Sequence, residues 1–210
     1  MKKRLILYSL IAVLAFVLFS IFVKKGYLNS FDLNFTVNIE RKIPNGLDTV
    51  FSYLSLLGSF EIIATILVII LLLTTKLIKG IGIFFIFALA HGVELLGKVF
   101  LYHPGPPLQF FRYDLGFSFP SSYVQTGSSY PSGHSLRIVF LMLIIVMLFQ
   151  HSSWRKSPKK LLFLVSLLVF VVIMLISRVS LGEHWVSDVI GGVLLGLAGG
   201  IFASTLLTER

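Results

Sequence analysis

The stretch LLFLVSLLVFVVIMLISRV, Leu161–Val179, holds a single charge, Arg178, near its end, and neither proline nor glycine. A helix needs about 20 mostly apolar residues to cross a bilayer, so this stretch reads as a membrane span. Working outward from it, comparable runs occur at Leu5–Val23, Phe60–Thr75, Ile81–Tyr102, Gly133–Gln150 and roughly His184–Leu207. They predict an all-α, integral membrane six-helix bundle forming a single domain over residues 1–210. The second and fourth runs are short and require tilt or local bilayer thinning. Composition agrees: 56% of the 210 residues are hydrophobic and 13% charged, with a mean hydropathy of +0.94, outside the balance of a soluble domain.

Lys2, Lys3 and Arg4 precede the first run, as in a signal peptide, but the run ends in Ser20-Ile21-Phe22-Val23 without a small-residue cleavage pattern, so an uncleaved helix is expected. The net charge of +9 does not point to nucleic acid, because the basic residues bracket the apolar runs instead of gathering on a face. With the N-terminus inside, cytoplasmic segments hold Lys2, Lys3, Arg4, Lys76, Lys79, Arg155, Lys156, Lys159, Lys160 and Arg210. The opposite loops hold Lys24, Lys25, Arg41, Lys42 and Arg112. Both termini are therefore expected in the cytoplasm, with the chemistry facing outward from a plasma (inner) membrane. The absence of cysteine removes disulfides and thiolate chemistry.

Residues 29–58 mix polar and apolar positions, with Leu47, Val50, Phe51, Leu54 and Leu57 at helical spacing, and read as an interfacial segment. The loop 103–132 carries Phe110, Phe111, Tyr113, Phe117, Phe119, Tyr123 and Tyr130, which suit an interface or a lid over a lipid site. Gly192, Gly196 and Gly200 form a small-residue stripe on the last helix, expected to serve close packing.

Polar side chains at membrane depth cost ~2.5–3.5 kcal/mol each at a helix centre, so they need partners or a purpose. His91, Glu94 and Lys98 share one face of the third run; Glu94 either aims Lys98 at an anion or forms a structural ion pair with it. Tyr130-Pro131-Ser132-Gly133-His134-Ser135 opens the fourth run. With Ser132 near the N-cap, the N–H groups of Gly133, His134 and Ser135 project from a positive helix end that favours phosphate, and an ordinary helix cap is the alternative. Between the fifth and sixth runs lies Ser177-Arg178-Val179-Ser180-Leu181-Gly182-Glu183-His184-Trp185-Val186-Ser187-Asp188. A helix beginning near His184 brings Asp188, four residues on, to one imidazole nitrogen and leaves the other free as a nucleophile. Two histidines, two cations and a helix N-terminus are the parts needed for displacement at phosphorus. A metal site is the competing reading, but no further carboxylate pair is spaced for two metals.

At these residues the chain resembles the type 2 phosphatidic acid phosphatase family. Pro131-Ser132-Gly133-His134 and Ser177-Arg178-x5-His184-x3-Asp188 look like its second and third signature motifs, and the likeness extends to Phe31-Asp32-Leu33, Leu56-Leu57-Gly58-Ser59 and Gly191-Gly192. The resemblance implies a metal- and cofactor-independent lipid phosphatase with its site at the outer ends of helices 3, 4, 5 and 6. It implies His184 as the residue phosphorylated, Asp188 as its orienting group and His134 as proton donor to the leaving oxygen. Lys98, Ser132, Gly133 and Arg178 would bind the phosphate. Phosphatidic acid, phosphatidylglycerophosphate and isoprenyl diphosphates such as undecaprenyl diphosphate all fit such a site. A lipid phosphotransferase using the same intermediate, or a degenerate lipid-phosphate-binding protein, are the alternatives. The first motif, Lys-x6-Arg-Pro, is met only by Lys98 and Pro106, with Gly105 at the arginine position. Glycine cannot supply bidentate phosphate contacts; Arg137, three residues after His134, is the expected substitute, with Arg112 and His103 as further candidates.

Overall fold

A backbone in lipid must close its own hydrogen bonds, and every apolar run is helical in the computed structural model, which describes residues 1–117, 127–152 and 156–208. The α-helices are α1 (Lys2–Lys24), α2 (Asn29–Lys42), α3 (Asp48–Leu56), α4 (Phe60–Thr74), α5 (Leu77–Phe100), α6 (Gly133–His151), α7 (Lys160–Ser180) and α8 (Val186–Ser204). There is no strand among the described residues. Phe119 and Tyr123 of the aromatic loop, and Arg155 and Arg210 of the basic segments, lie outside the described residues.

Helices α1, α5, α6, α7 and α8 are each long and apolar enough to cross a membrane; α3 and α4 reach that length only as a pair bent by 49°. The bend falls at Leu57-Gly58-Ser59, and it is held open by packing: a Cβ on Gly58 would lie 2.6 Å from Cε of Met174 and 2.8 Å from Cδ2 of His134. Residues 29–58, read as one interfacial segment, thus form α2, a 3-10 turn over Asn45–Leu47 and α3. Pro44 separates the helices, having no N–H to continue α2.

Helices α6 and α8 occupy the centre: α8 packs on α6, α1 and α5, and α6 on α7, α4 and α5. Lipid tails are as apolar as leucine, so close van der Waals fit has to hold these helices together. The glycine stripe provides it. A Cβ on Gly196 would sit 2.6 Å from the Leu136 carbonyl oxygen, and one on Gly200 2.8 Å from Leu143. Ile63, Leu67, Ile83, Phe87, Phe140, Ile144 and Met174 fill the space between α4, α5, α6 and α7. Leu72, Ile78, Phe85, Leu161 and Leu162 point outward, as a lipid-facing surface requires. Ser9 Oγ donates to the Ala198 carbonyl at 2.9 Å and fastens α1 to α8.

Candidate active site

The N-terminus of α6, the α7–α8 turn and the last turns of α5 meet at one end of the bundle. Ser132 caps α6, its Oγ accepting from the Ser135 N–H at 3.5 Å, and its own N–H donates to the Asp188 carbonyl at 3.0 Å. That backbone bond ties the start of α6 to the start of α8. Gly133 permits a third element to close in, since a Cβ there would lie 2.6 Å from Arg137 Nη1 and 2.8 Å from the Glu94 carboxyl carbon.

Arg137 is buried and held from three sides. Its Nε donates to the Gly58 carbonyl at 3.0 Å, Nη1 faces Glu94 at 3.7 Å, and Nη2 lies 3.4 Å from Nδ1 of His134. A guanidinium only donates, so Nδ1 of His134 accepts, and the neutral ring then carries its proton on Nε2. Glu94 also pairs with Lys98 at 2.8 Å and with His91 at 2.5 Å. The shared helix face of His91, Glu94 and Lys98 therefore carries one carboxylate serving three cationic or imidazole partners.

Gly182 turns the chain out of α7 at φ +67, a region that favours glycine; a Cβ there would collide with the Phe110 carbonyl. The turn presents Glu183 to Arg178, Nη2 to Oε2 at 2.5 Å, while Arg178 also bonds Ser55 on α3. Helix α8 starts at Val186, two residues later than His184. Asp188 reaches back all the same: Oδ2 accepts from the Trp185 N–H at 2.9 Å and lies 3.4 Å from Nδ1 of His184. With Nδ1–H toward the carboxylate, Nε2 keeps its lone pair. Burial lowers the His184 pKa below the ordinary 6.5; the Arg178 and Lys98 charges push the same way and Asp188 opposes them. The imidazole is thus held neutral, the form that attacks phosphorus.

Lys98, Gly133, His134, Arg137, Arg178 and His184 line a single cavity of about 690 Å³, with Glu61, Glu94 and Glu183 also on its wall. Ser132 and Asp188 stand behind the wall, Ser132 capping the helix that carries His134 and Asp188 facing Nδ1 of His184. Gly105 borders the same cavity, so the position without an arginine and the guanidinium of Arg137 face one space. An imidazole with a free Nε2, a second imidazole with Nε2–H, and three cations around one cavity are the equipment for phosphoryl displacement.

The family model described as the PAP2 superfamily matches residues 79–210, which carry Lys98, Ser132, Gly133, His134, Arg137, Arg178, His184 and Asp188. The chain belongs to the PAP2 superfamily. Phosphatidylglycerophosphatase B of Bacillus subtilis (strain 168) is 36% identical over 74 residues, 35% of this chain. The match spans 36% of that relative's length, about a third. A crystal structure described as the first transmembrane PAP2 type phosphatidylglycerolphosphate phosphatase from Bacillus subtilis superposes with a TM-score of 0.74. It covers 93% of this chain and 94% of that one at 22% identity, so the two share a fold. This PAP2 chain is accordingly a multi-pass membrane protein with an all-helical body.

Two of the three candidates for the missing arginine are elsewhere. Arg112 is a bidentate partner of Asp48, Nη2 to Oδ1 at 2.6 Å and Nε to Oδ2 at 3.1 Å, and fastens the loop after α5 to α3. His103 is not on the cavity wall; it faces Asp188 and Asp32. Among the loop aromatics, Tyr130 and Phe110 are buried in protein and do not anchor an interface. Tyr130 packs over Gly191, its hydroxyl 2.8 Å from Ser20 Oγ, and Phe110 packs edge-on to Trp185. Sequence reasoning missed Ser55, Glu183 as partner of Arg178, and the Gly58 carbonyl, because each meets the site across a tertiary contact with no periodic signal.

Proposed function

We propose that the chain is a membrane lipid phosphatase that hydrolyses a phosphomonoester through a phosphohistidine on His184, with phosphatidylglycerophosphate as the favoured substrate. The observation that carries this reading is the pair of differently prepared imidazoles, His184 backed by Asp188 and His134 backed by Arg137, on one cavity with Lys98 and Arg178. Nε2 of His184 attacks phosphorus as the bond to the lipid oxygen breaks, and His134, protonated to the imidazolium as the anionic phosphate binds, passes its Nε2 proton to that oxygen and becomes neutral. A water then attacks the phosphohistidine, giving a proton back to His134; phosphate departs and both imidazoles return to their starting state. The substrate preference draws on the printed name of the Bacillus subtilis relative. Lys98, Arg137 and Arg178 neutralise the equatorial oxygens, with the N–H groups of Gly133 and His134 at the α6 terminus.

The chain acts as one membrane domain of six crossings, the bent α3–α4 pair making one of them, in a plasma membrane with both termini cytoplasmic and the cavity outward. The distribution of Lys and Arg supports that orientation. Phosphate release from a panel of lipid phosphates by the detergent-purified protein, beside His184→Ala, tests the proposal. Release from phosphatidylglycerophosphate that disappears in the variant is expected. Transfer of the phosphate to an alcohol instead of water would make the protein a phosphotransferase, and no release from any lipid would make it a binding protein.

A further inference from the structure

His103 stands outside the cavity and yet touches the residue on which the chemistry depends. Its Nδ1 lies 2.9 Å from Asp188 Oδ1, opposite the Asp188 oxygen that Trp185 and His184 share. Its Nε2 lies 3.9 Å from Oδ2 of Asp32. Asp32, on α2, is itself committed to the start of α8, accepting from the Ser187 N–H at 2.9 Å and the Ser187 hydroxyl at 2.7 Å. All three side chains are buried.

The backbone around His103 is fastened as firmly as the ring. Its N–H donates to Ser128 Oγ at 3.1 Å, and its carbonyl accepts from the Ser129 N–H at 2.9 Å and the Ser129 hydroxyl at 3.1 Å. The next carbonyl, that of Pro104, accepts from the Trp185 indole N–H at 2.7 Å. A loop held at both sides of one imidazole, and clipped to the residue after His184, is built to fix that imidazole in space.

We propose that His103 is a positioning residue of this site: its Nδ1–H holds the Asp188 carboxylate in the rotation that keeps His184 aimed at the phosphate. The inference rests on the hydrolytic reading above. A fully buried carboxylate seeks a donor for each oxygen, because an unpaired one costs the full desolvation of that group. Without His103, Oδ1 of Asp188 loses its donor and the carboxylate turns to find another, taking its hydrogen bond to His184 with it. His103 has a second effect through charge. The groups facing it are Asp188 on α8, Asp32 on α2 and the neutral Tyr130, whose ring meets it edge-on at 6.2 Å. Burial alone would lower the His103 pKa, but the Asp188 bond and the charges of Asp188 and Asp32 outweigh it and raise the value. A cationic His103 offsets part of the Asp188 charge, so less of it is left to draw a proton onto His184.

The test uses the full chain in detergent with phosphatidylglycerophosphate labelled in its terminal phosphate. His103→Phe keeps the ring shape and removes both nitrogens; His103→Asn keeps an N–H donor close to the Nδ1 position. For His103→Phe, kcat should fall about 10- to 100-fold with KM within about twofold, the scale seen when a group orienting a reactive ligand is lost. The acid limb of the kcat profile should move to higher pH, since Asp188 then holds the His184 proton more tightly. His103→Asn should recover most of kcat. Unchanged kcat in His103→Phe overturns the proposal. So does an equal loss in both variants with the acid limb unmoved, the mark of a structural role. If wild type forms no phosphohistidine, or His184→Ala keeps its activity, the hydrolytic reading itself has failed.

Discussion

Arg137 Nη2 lies 3.4 Å from Nδ1 of His134 while its Nε donates to the Gly58 carbonyl at 3.0 Å. One guanidinium thus selects the tautomer of an imidazole, on the cavity that Gly105 also borders, and is the proposed substitute for the arginine absent at Gly105. Arg137→Ala should lower kcat/KM by roughly 10²-fold, the lower end of what a positioned proton donor contributes. Arg137→Lys should not restore it, because an ammonium lacks the fork that reaches both partners. Steady-state kinetics checks both, and near wild-type values for Arg137→Ala would dismiss the assignment.

Glu183 holds the guanidinium of Arg178 at 2.5 Å and adds a negative charge to the wall of the proposed phosphate cavity. Glu183→Gln keeps an acceptor for Arg178 and removes the repulsion. Inhibition by inorganic phosphate should tighten, about 3- to 10-fold for one like charge removed from a partly screened site. Weaker inhibition would show that Glu183 serves to hold Arg178 in place.

The pH dependence follows from His184. As the proposed nucleophile it must be neutral, and burial lowers its pKa, helped by Arg178 and Lys98 and opposed by Asp188. Activity should therefore fall on acidification only below the ordinary imidazole value of 6.5. A profile of kcat/KM against pH with its acid limb above that value would contradict the assigned environment.

Two glycines separate packing from propensity. Gly196→Ala places a methyl 2.6 Å from the Leu136 carbonyl oxygen and should destabilise the protein by about 1–3 kcal/mol through overpacking. Gly92→Ala, with nothing within 4 Å of its Cβ, should be neutral or stabilising by roughly 0.5–1 kcal/mol. Thermal unfolding in detergent distinguishes them.

The helices and the candidate site residues were legible for different reasons. Apolar runs such as Leu161–Val179 announce themselves because lipid leaves the backbone no other partner. His134, Arg178, His184 and Asp188 stand out because they are polar within or beside such runs, and the spacing of His184 and Asp188 is local. What could not be read is what the fold brings from afar: His103 meets Asp188 across 85 residues of chain and Asp32 meets Ser187 across 155. Tyr130 misled for a related reason. An aromatic in an aromatic-rich loop suits an interface, and only the neighbouring Gly191 and Ser20 reveal that it is buried.

The most direct measurement is to trap the phosphoenzyme. Protein mixed with phosphatidylglycerophosphate labelled in its terminal phosphate, quenched in alkali and mapped by peptide, should carry an acid-labile label on the peptide containing His184. The label should be absent from His184→Ala, and chelator should change neither label nor phosphate release. Label on another residue, or phosphate release from His184→Ala at the wild-type rate, would contradict the account.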